Sequence, residues 1–139
     1  MKKKFKRDIQ SLKEIHKLIE RFVEINDLDS SWVNLINLVL EELFVNTVKY
    51  NPDTSGDISI ELKAAGNQII ITLAAPDVAP FDITRTKEFD INQHIKKLRI
   101  GGLGIPLVKR MMDDIQYDYN KKTRSSTITL TKYLEDRNV

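Results

Sequence analysis

Apolar residues recur at helical spacing through the first third of the chain. Ser11 followed by Glu14 has the pattern of a capping box, and the apolar positions after it recur every three or four residues. Ser30 or Ser31 can cap a second helix, whose apolar set is broad enough for a buried element. That helix should end near Tyr50, because an Asn-Pro pair follows it. The pattern predicts two helices, at about residues 11–26 and 31–50.

The rest of the chain is typical of strands, with one further helix. Residues 57–63 alternate between apolar and polar, residues 68–73 are rich in β-branched side chains, and Ala-Gly-Asn between them indicates a hairpin. Residues 76–99 show no sustained periodicity, which is typical of a functional lid or a disordered loop. The remaining predicted elements are a short first strand at 3–7, a helix at about 103–114, and strands at 116–119 and 126–132. Their order predicts an α+β, two-layer sandwich with helices on one face of a mainly antiparallel sheet.

Composition narrows the class of protein. The length of 139 residues and the 41% apolar fraction predict one domain over residues 1–139, with one core. No segment is apolar enough for a membrane span or a signal core, so we expect a soluble, cytoplasmic protein without a membrane partner. The chain has no cysteine, and His16 and His94 lack partners at ligand spacing, so metal ligation by either is disfavoured.

Charge disfavours a nucleic-acid partner. The formal net charge is only +2, and no dominant basic face or interleaved aromatic set is apparent. The basic run at residues 2–7 is the exception. We interpret it as an edge strand whose lysines discourage pairing with other chains, in preference to a nucleic-acid or membrane contact.

The segment EELFVNTVKYN, residues 41–51, carries the first candidate chemistry. Glu42 and Asn46 are four residues apart and therefore share a helix face. A carboxylate can accept a proton from a hydroxyl, and an amide oxygen is a suitable ligand for Mg²⁺. The alternative is a solvated helix face, although Asn is a poor helix former in so apolar a stretch. Lys49 can either meet a phosphate or remain solvated.

The segment RIGGLGIPLVKRMMDD, residues 99–114, carries the second candidate chemistry. It places three of the five glycines of the chain within four positions, just before the predicted third helix. Glycines permit positive φ and a close approach by phosphate, and a helix start offers free N–H groups to an anion. The alternative is a flexible turn that begins a helix.

The order of these segments resembles the GHKL (histidine kinase-like) ATPase superfamily and, within it, the anti-sigma-factor serine/threonine protein kinases. EELFVNTVKY is similar to the N box, GGLGIPLVKRMMDDIQY to the glycine box with its helix, and PFDI to the end of the adenine box between them. FDINQHIKKLRIGGLGI resembles the lid of the smaller kinases, which places the lid at about residues 76–100. The resemblance implies the fold of that superfamily, a mainly antiparallel mixed sheet covered on one face by three helices.

The resemblance also implies a role for each matching residue. Glu42 would be the catalytic general base, Asn46 the Mg²⁺ ligand, and the three glycines the phosphate cradle, with ATP and Mg²⁺ as substrate and cofactor. Thr127 matches the hydroxyl position near the adenine. The nucleotide-binding residues expected on this basis are Asn46, Lys49, Asp77, Gly101, Gly102, Leu103, Gly104, Ile105 and Thr127.

The sequence departs from the superfamily in the adenine box, which reads Asp-x-Gly-x-Pro. Counted back from Pro80, Pro76 stands at the Asp position and Val78 at the Gly position. Asp77 lies between them and fits only if the loop slips by one residue. Since a proline side chain cannot accept the hydrogen bond of the adenine amino group, the departure is expected to cost about 1 to 3 kcal/mol of binding.

Two functions remain. The first is an enzyme that uses Mg-ATP to phosphorylate a Ser or Thr of an anti-anti-sigma protein of the STAS fold. The second is a catalytically weak or inactive binding module of the same fold, which sequesters a sigma factor or another regulator. The intact N box and glycine box favour the first, and Pro76 and Val78 favour the second. A homodimer is expected from the resemblance, and a sensor histidine kinase core is disfavoured.

Overall fold

Five antiparallel strands form the sheet of the protein. The computed structural model describes residues 1–50, 56–80, 84 and 104–134. The strands are β1 Lys2–Phe5, β2 Ile58–Ala65, β3 Gln68–Ala75, β4 Asp114–Asn120 and β5 Ser125–Tyr133. Their order across the sheet is β1-β2-β3-β5-β4, and all four pairings between them are antiparallel. β1 therefore lies at one edge, as the lysine-rich sequence predicted.

Within the described residues, three α-helices cover one face of this sheet: α1 Leu12–Ile25, α2 Ser31–Tyr50 and α3 Gly104–Met111. Alternate residues of the three central strands are buried, and they form one hydrophobic cluster with the apolar faces of the helices. α2 contacts both α1 and α3. The α+β class and the two-layer architecture predicted from the sequence are confirmed. No helix in the described part of the chain is long and apolar enough to cross a bilayer.

The predicted capping box at Ser11 is wrong. Ser11 closes a short 3-10 turn, Ile9–Ser11, and its hydroxyl donates to the carbonyl of Lys6 at 2.8 Å instead of capping α1. The side chain of Asp8 accepts the N–H of Gln10 at 2.9 Å and thereby caps this turn. The polar pattern did mark a helix start, but the local hydrogen bonds of Asp8 and Ser11 shift it by one residue.

The other boundaries differ by a few residues. Asp29, not a serine, supplies the side-chain acceptor at the start of α2, where its Oδ1 accepts the N–H of Ser31 at 2.8 Å. The third helix ends three residues earlier than predicted, and Asp113, between this helix and β4, hydrogen-bonds to β5. Its N–H donates to the carbonyl of Thr131 at 2.9 Å, and its carboxylate accepts the N–H of Tyr133 at 2.7 Å.

The predicted hairpin between β2 and β3 is confirmed, with Gly66 in its turn at φ 60°. The turn between β4 and β5 is stabilised by Asn120, whose side-chain oxygen accepts the N–H groups of Lys122 and Thr123 at 2.9 and 3.2 Å. The β2–β3 turn lies at the start of β3 and the end of β5, whereas the β4–β5 turn lies at the start of β5 and the end of β3. The β4–β5 turn therefore lies beside the loop that follows β3.

Candidate nucleotide site

The second half of α2 places the two N-box side chains in different environments. The adjacent residues Leu43 and Phe44 are fully buried and anchor this part of the helix in the core. Asn46 is also buried, with only 7% of its surface exposed, whereas Glu42 is half-buried and Lys49 is exposed. The helix thus keeps the amide of Asn46 buried, while the carboxylate of Glu42 and the ammonium of Lys49 lie closer to solvent.

Among the residues that the structure describes, the side-chain oxygen of Asn46 has no hydrogen-bond partner, although it is fully removed from solvent. An unpaired buried polar atom costs about 1 to 3 kcal/mol, and such groups are rare in folded proteins. A hard oxygen donor held in this way fits a Mg²⁺ ion, which completes its octahedral shell with waters and phosphate oxygens. The residues present therefore fit the cofactor that the resemblance implies.

Glu42 has the electrostatics of a proton acceptor. Partial burial raises the pKa of its carboxyl, and the neighbouring charge of Glu41 raises it further, while Lys49 acts in the opposite direction. A raised pKa makes a carboxylate a stronger base, provided that it stays largely ionised at neutral pH. The pair predicted from sequence thus combines a basic carboxylate and an unpaired amide oxygen on one face of α2.

Helix α3, which contacts α2, begins at the end of the glycine box. Gly104 is its first residue, and the side chain of Ile105 is buried in the core, so only the backbone of Ile105 is suited to contact a ligand. The first N–H groups of a helix lack partners within the helix and favour an anion. Gly101, Gly102 and Leu103 lie outside the described residues, as does most of the predicted lid.

The loop at residues 76–80 follows β3 directly and is fixed to the β4–β5 hairpin. The N–H of Val78 donates to the carbonyl of Arg124 at 2.8 Å, and the hydroxyl of Tyr119 donates to the carbonyl of Val78 at 2.8 Å. The Val78 side chain is buried in the hydrophobic core. The valine at the glycine position of the box is therefore a packing residue, which explains why an apolar side chain stands there.

Asp77 has a partner other than a nucleotide. It adopts a positive φ of 52°, and its Oδ1 lies 3.8 Å from Nε of Arg124. Its charge also acts on Arg7. The carboxylate faces cations and is about half exposed, with 49% of the side-chain surface accessible. A role for Asp77 at the adenine stays a prediction, and this ion pair competes with it.

The strand register shows on which face of the sheet Thr127 lies. In β5 the even-numbered residues Ser126, Ile128 and Leu130 are buried, and the two apolar ones belong to the core beneath the helices. Successive side chains of a strand point to opposite faces. Thr127 therefore lies on the uncovered face, opposite Ala74 and Asp118 of the adjacent strands, and away from α2.

Ser126 is the hydroxyl that the structure places on the helix-covered face. It is 8% exposed and lies opposite Ala75, the last residue before the loop at 76–80. In the sequence, the apolar residues Ile128 and Leu130 indicate the buried face of this strand. Since every second residue of a strand lies on the same face, the sequence also indicates that Ser126 belongs to it. No comparable signal in the sequence marks Arg7, Tyr119 or Arg124, because their contacts with the loop are long-range.

Comparison with known proteins agrees with this geometry. Residues 5–132 match the family model described as a histidine kinase-like ATPase domain. Because the match covers most of the chain, the protein belongs to the histidine kinase-like ATPase family. The superfamily recognised from the N box and the glycine box is therefore confirmed.

The curated relatives are serine-protein kinases. The chain is 26% identical over 110 residues to the serine-protein kinase RsbW of Listeria monocytogenes serovar 1/2a (strain ATCC BAA-679 / EGD-e), covering 75% of this chain and 68% of the relative. It is 29% identical over 110 residues to RsbW of Bacillus cereus (strain G9842), covering 75% and 66% of the two chains. These relatives support the anti-sigma-factor kinase group recognised from sequence.

A solved structure shares the fold. The Acinetobacter baumannii histidine kinase AdeS superimposes with a TM-score of 0.51 at 16% sequence identity, over 98% of this chain and 68% of that chain. At this identity the similarity concerns the fold alone.

Proposed function

We propose that this protein is a Mg-ATP-dependent serine/threonine protein kinase of the anti-sigma-factor type. Its substrate would be a Ser or Thr of a STAS-type anti-anti-sigma protein, and a sigma factor would be its second partner. We further propose that residues 1–139 form one nucleotide-binding domain, with a lid at about 76–100, which acts as a cytoplasmic homodimer. The observation that carries the proposal is the unpartnered, buried oxygen of Asn46 beside the basic carboxylate of Glu42.

In this proposal Glu42 accepts the proton of the attacking hydroxyl. The hydroxyl oxygen bonds to the γ-phosphorus, the bond from that phosphorus to the β–γ bridging oxygen breaks, and ADP leaves. Such transfer depends mainly on positioning and charge neutralisation. Mg²⁺ supplies charge neutralisation on the phosphates when bound, and Asn46 would hold it.

The other proposed residues bind the nucleotide. Gly101, Gly102, Leu103, Gly104 and Ile105 would offer backbone N–H groups to the phosphates, and Lys49 would add a positive charge near them. The charge of Lys49 lowers the pKa of Glu42, and this electrostatic effect supports a role for Lys49 near the same site. For the hydroxyl near the adenine we propose Ser126 in place of Thr127, on the basis of the strand register.

A second candidate function is a catalytically weak or inactive binding module of the same fold. The observation that favours it is the adenine-box loop, where Pro76 and the buried Val78 replace the residues expected there. Such a module would sequester a sigma factor or another regulator without phosphoryl transfer.

Phosphotransfer from γ-labelled ATP to a purified STAS-type partner separates the two functions. We expect label transfer by the natural chain, and loss of transfer with retained ATP binding in Glu42→Gln. Glu24→Gln is the matched control, since this exposed glutamate of α1 carries the same charge and is not among the groups that act on the pKa of Glu42. Partner binding without label transfer by the natural chain would support the binding module, and full activity of Glu42→Gln would remove Glu42 from the role of base.

A further inference from the structure

Arg7 joins three separate segments of the chain. It lies just after β1, and its Nε donates to the carbonyl of Gly56 at 2.8 Å. Its Nη2 donates to the carbonyl of Pro76, the first residue of the loop after β3. The arginine therefore links the end of β1 to the segment before β2 and to the adenine-box loop.

The two segments that Arg7 joins, at Gly56 and Pro76, lie close to each other. Gly56 has a φ of 100°, and a Cβ there would lie 3.0 Å from Cγ of Pro76. Burial lowers the pKa of Arg7, and the charge of Asp77 partly opposes that effect. A planar guanidinium can serve two acceptors at once in fixed geometry, which a lysine ammonium cannot reproduce. The contact depends on both the planar group and the absence of a side chain at Gly56.

The loop that Arg7 holds has no acceptor side chain at the position where the superfamily places an aspartate. Pro76 offers only a carbonyl, and that carbonyl accepts from Arg7. Recognition of a base by this loop therefore depends on where its backbone lies. Arg7 fixes the first residue of the loop, while Tyr119 and the carbonyl of Arg124 fix Val78 two residues later.

We propose that Arg7 is a positioning residue for the nucleotide base. It holds the backbone of residues 76–78 in the place that accommodates adenine, and it acts through Pro76 and Gly56 without touching the phosphates. This inference rests on the proposed nucleotide site, and it adds a residue outside the N box, the adenine box and the glycine box. It predicts that Arg7 contributes to base selectivity, since guanine presents different groups to the same loop.

The test compares the dissociation constants of Mg-ATP and Mg-GTP by calorimetry for four chains. These are the natural chain, Arg7→Ala, Arg7→Lys and the control Arg21→Ala, which removes an exposed arginine of α1. Thermal unfolding of each chain is measured in parallel. We expect Arg7→Ala to weaken ATP binding about tenfold and to remove most of the preference for ATP over GTP, because hydrogen bonds from a charged donor are lost. Arg7→Lys should lie in between, and Arg21→Ala should match the natural chain.

The outcomes separate positioning from simple stabilisation. An Arg7→Ala chain that loses stability but keeps the ATP-to-GTP ratio would overturn the proposal, as would a natural chain that binds both nucleotides equally. If Arg7→Ala does not fold, the ratio for Arg7→Lys decides in the same way. Absence of ATP binding by the natural chain would overturn the proposed function itself, and the inference with it. Binding by the natural chain with an unchanged ratio in both Arg7 variants would overturn only the inference.

Discussion

Replacing Asn46 by alanine should stabilise the protein without nucleotide and abolish its response to nucleotide. The buried side-chain oxygen of Asn46 lacks a partner in the described part of the chain, and an unpaired buried oxygen costs about 1 to 3 kcal/mol in the free protein. Truncation to alanine removes that cost but leaves a small cavity, worth about 0.6 kcal/mol against folding for the few atoms lost. Alanine is also a better helix former than asparagine, by roughly 0.6 kcal/mol.

Asn34→Ala is the matched control, because Asn34 is an exposed residue of the same helix. The Asn34→Ala substitution should raise the free energy of unfolding only through the higher helix propensity of alanine. The difference between the two variants therefore isolates the effect of the unpaired oxygen and its cavity. We expect the free energy of unfolding of Asn46→Ala to exceed that of the control by roughly 0.5 to 2 kcal/mol. For a chain of this size each kcal/mol corresponds to a shift of about 4 °C in the unfolding midpoint.

Mg-ATP should reverse the order of stability, so that Asn46→Ala becomes less stable than the natural chain and Asn34→Ala. At a Mg-ATP concentration one hundred times Kd, binding stabilises the natural chain by about 2.7 kcal/mol. Thermal unfolding should show this shift for the natural chain and for Asn34→Ala, but not for Asn46→Ala. An Asn46→Ala chain that is less stable than Asn34→Ala without nucleotide, and whose unfolding midpoint shifts with Mg-ATP as that of the natural chain does, would contradict both expectations.

Three further predictions concern stability and binding. The raised pKa of Glu42 means that its neutral form favours folding, so this contribution is complete below the ordinary glutamate pKa and lost as the pH rises through the folded value. Glu42→Gln should therefore gain stability over the natural chain as the pH rises through that window, by less than about 1 kcal/mol because the carboxylate is partly solvated; a pH-independent difference in denaturant midpoints would contradict this. Gly56→Ala should cost about 1 to 3 kcal/mol in the free energy of unfolding, since its φ is 100° and its Cβ would press on the proline ring after β3, whereas Gly66→Ala, with φ 60° and open space, should cost less; equal losses would argue against that contact. Ser126→Ala should weaken ATP binding more than Thr127→Ala, and the reverse order in calorimetry would restore Thr127 to the site.

The elements of the fold were predictable where one periodicity dominates. α1 and α2 follow the spacing of their apolar residues, and the hairpin of β2 and β3 follows the alternation on either side of Gly66. The boundaries depend on local hydrogen bonds that the pattern does not show. Ser11 has the pattern of a cap, but it donates to Lys6 because Asp8 has already started a 3-10 turn.

The site was predictable in part. Glu42 and Asn46 were identified by their spacing on α2, and the structure adds that the asparagine oxygen is buried and unpaired. The face of Thr127 was missed because a motif match gives a position along the chain, while burial in a strand depends on the parity of that position. Arg7 was missed because its acceptors lie 49 and 69 residues away in sequence.

Calorimetric titration of the natural chain and of Asn46→Ala with ATP, each with and without Mg²⁺, shows whether this end of α2 is a nucleotide site. We expect ATP to bind the natural chain in the presence of Mg²⁺, and we expect much weaker binding without the metal or without the Asn46 amide. Binding that is indifferent to both Mg²⁺ and Asn46, or no binding at millimolar ATP, would contradict a nucleotide site at this end of α2.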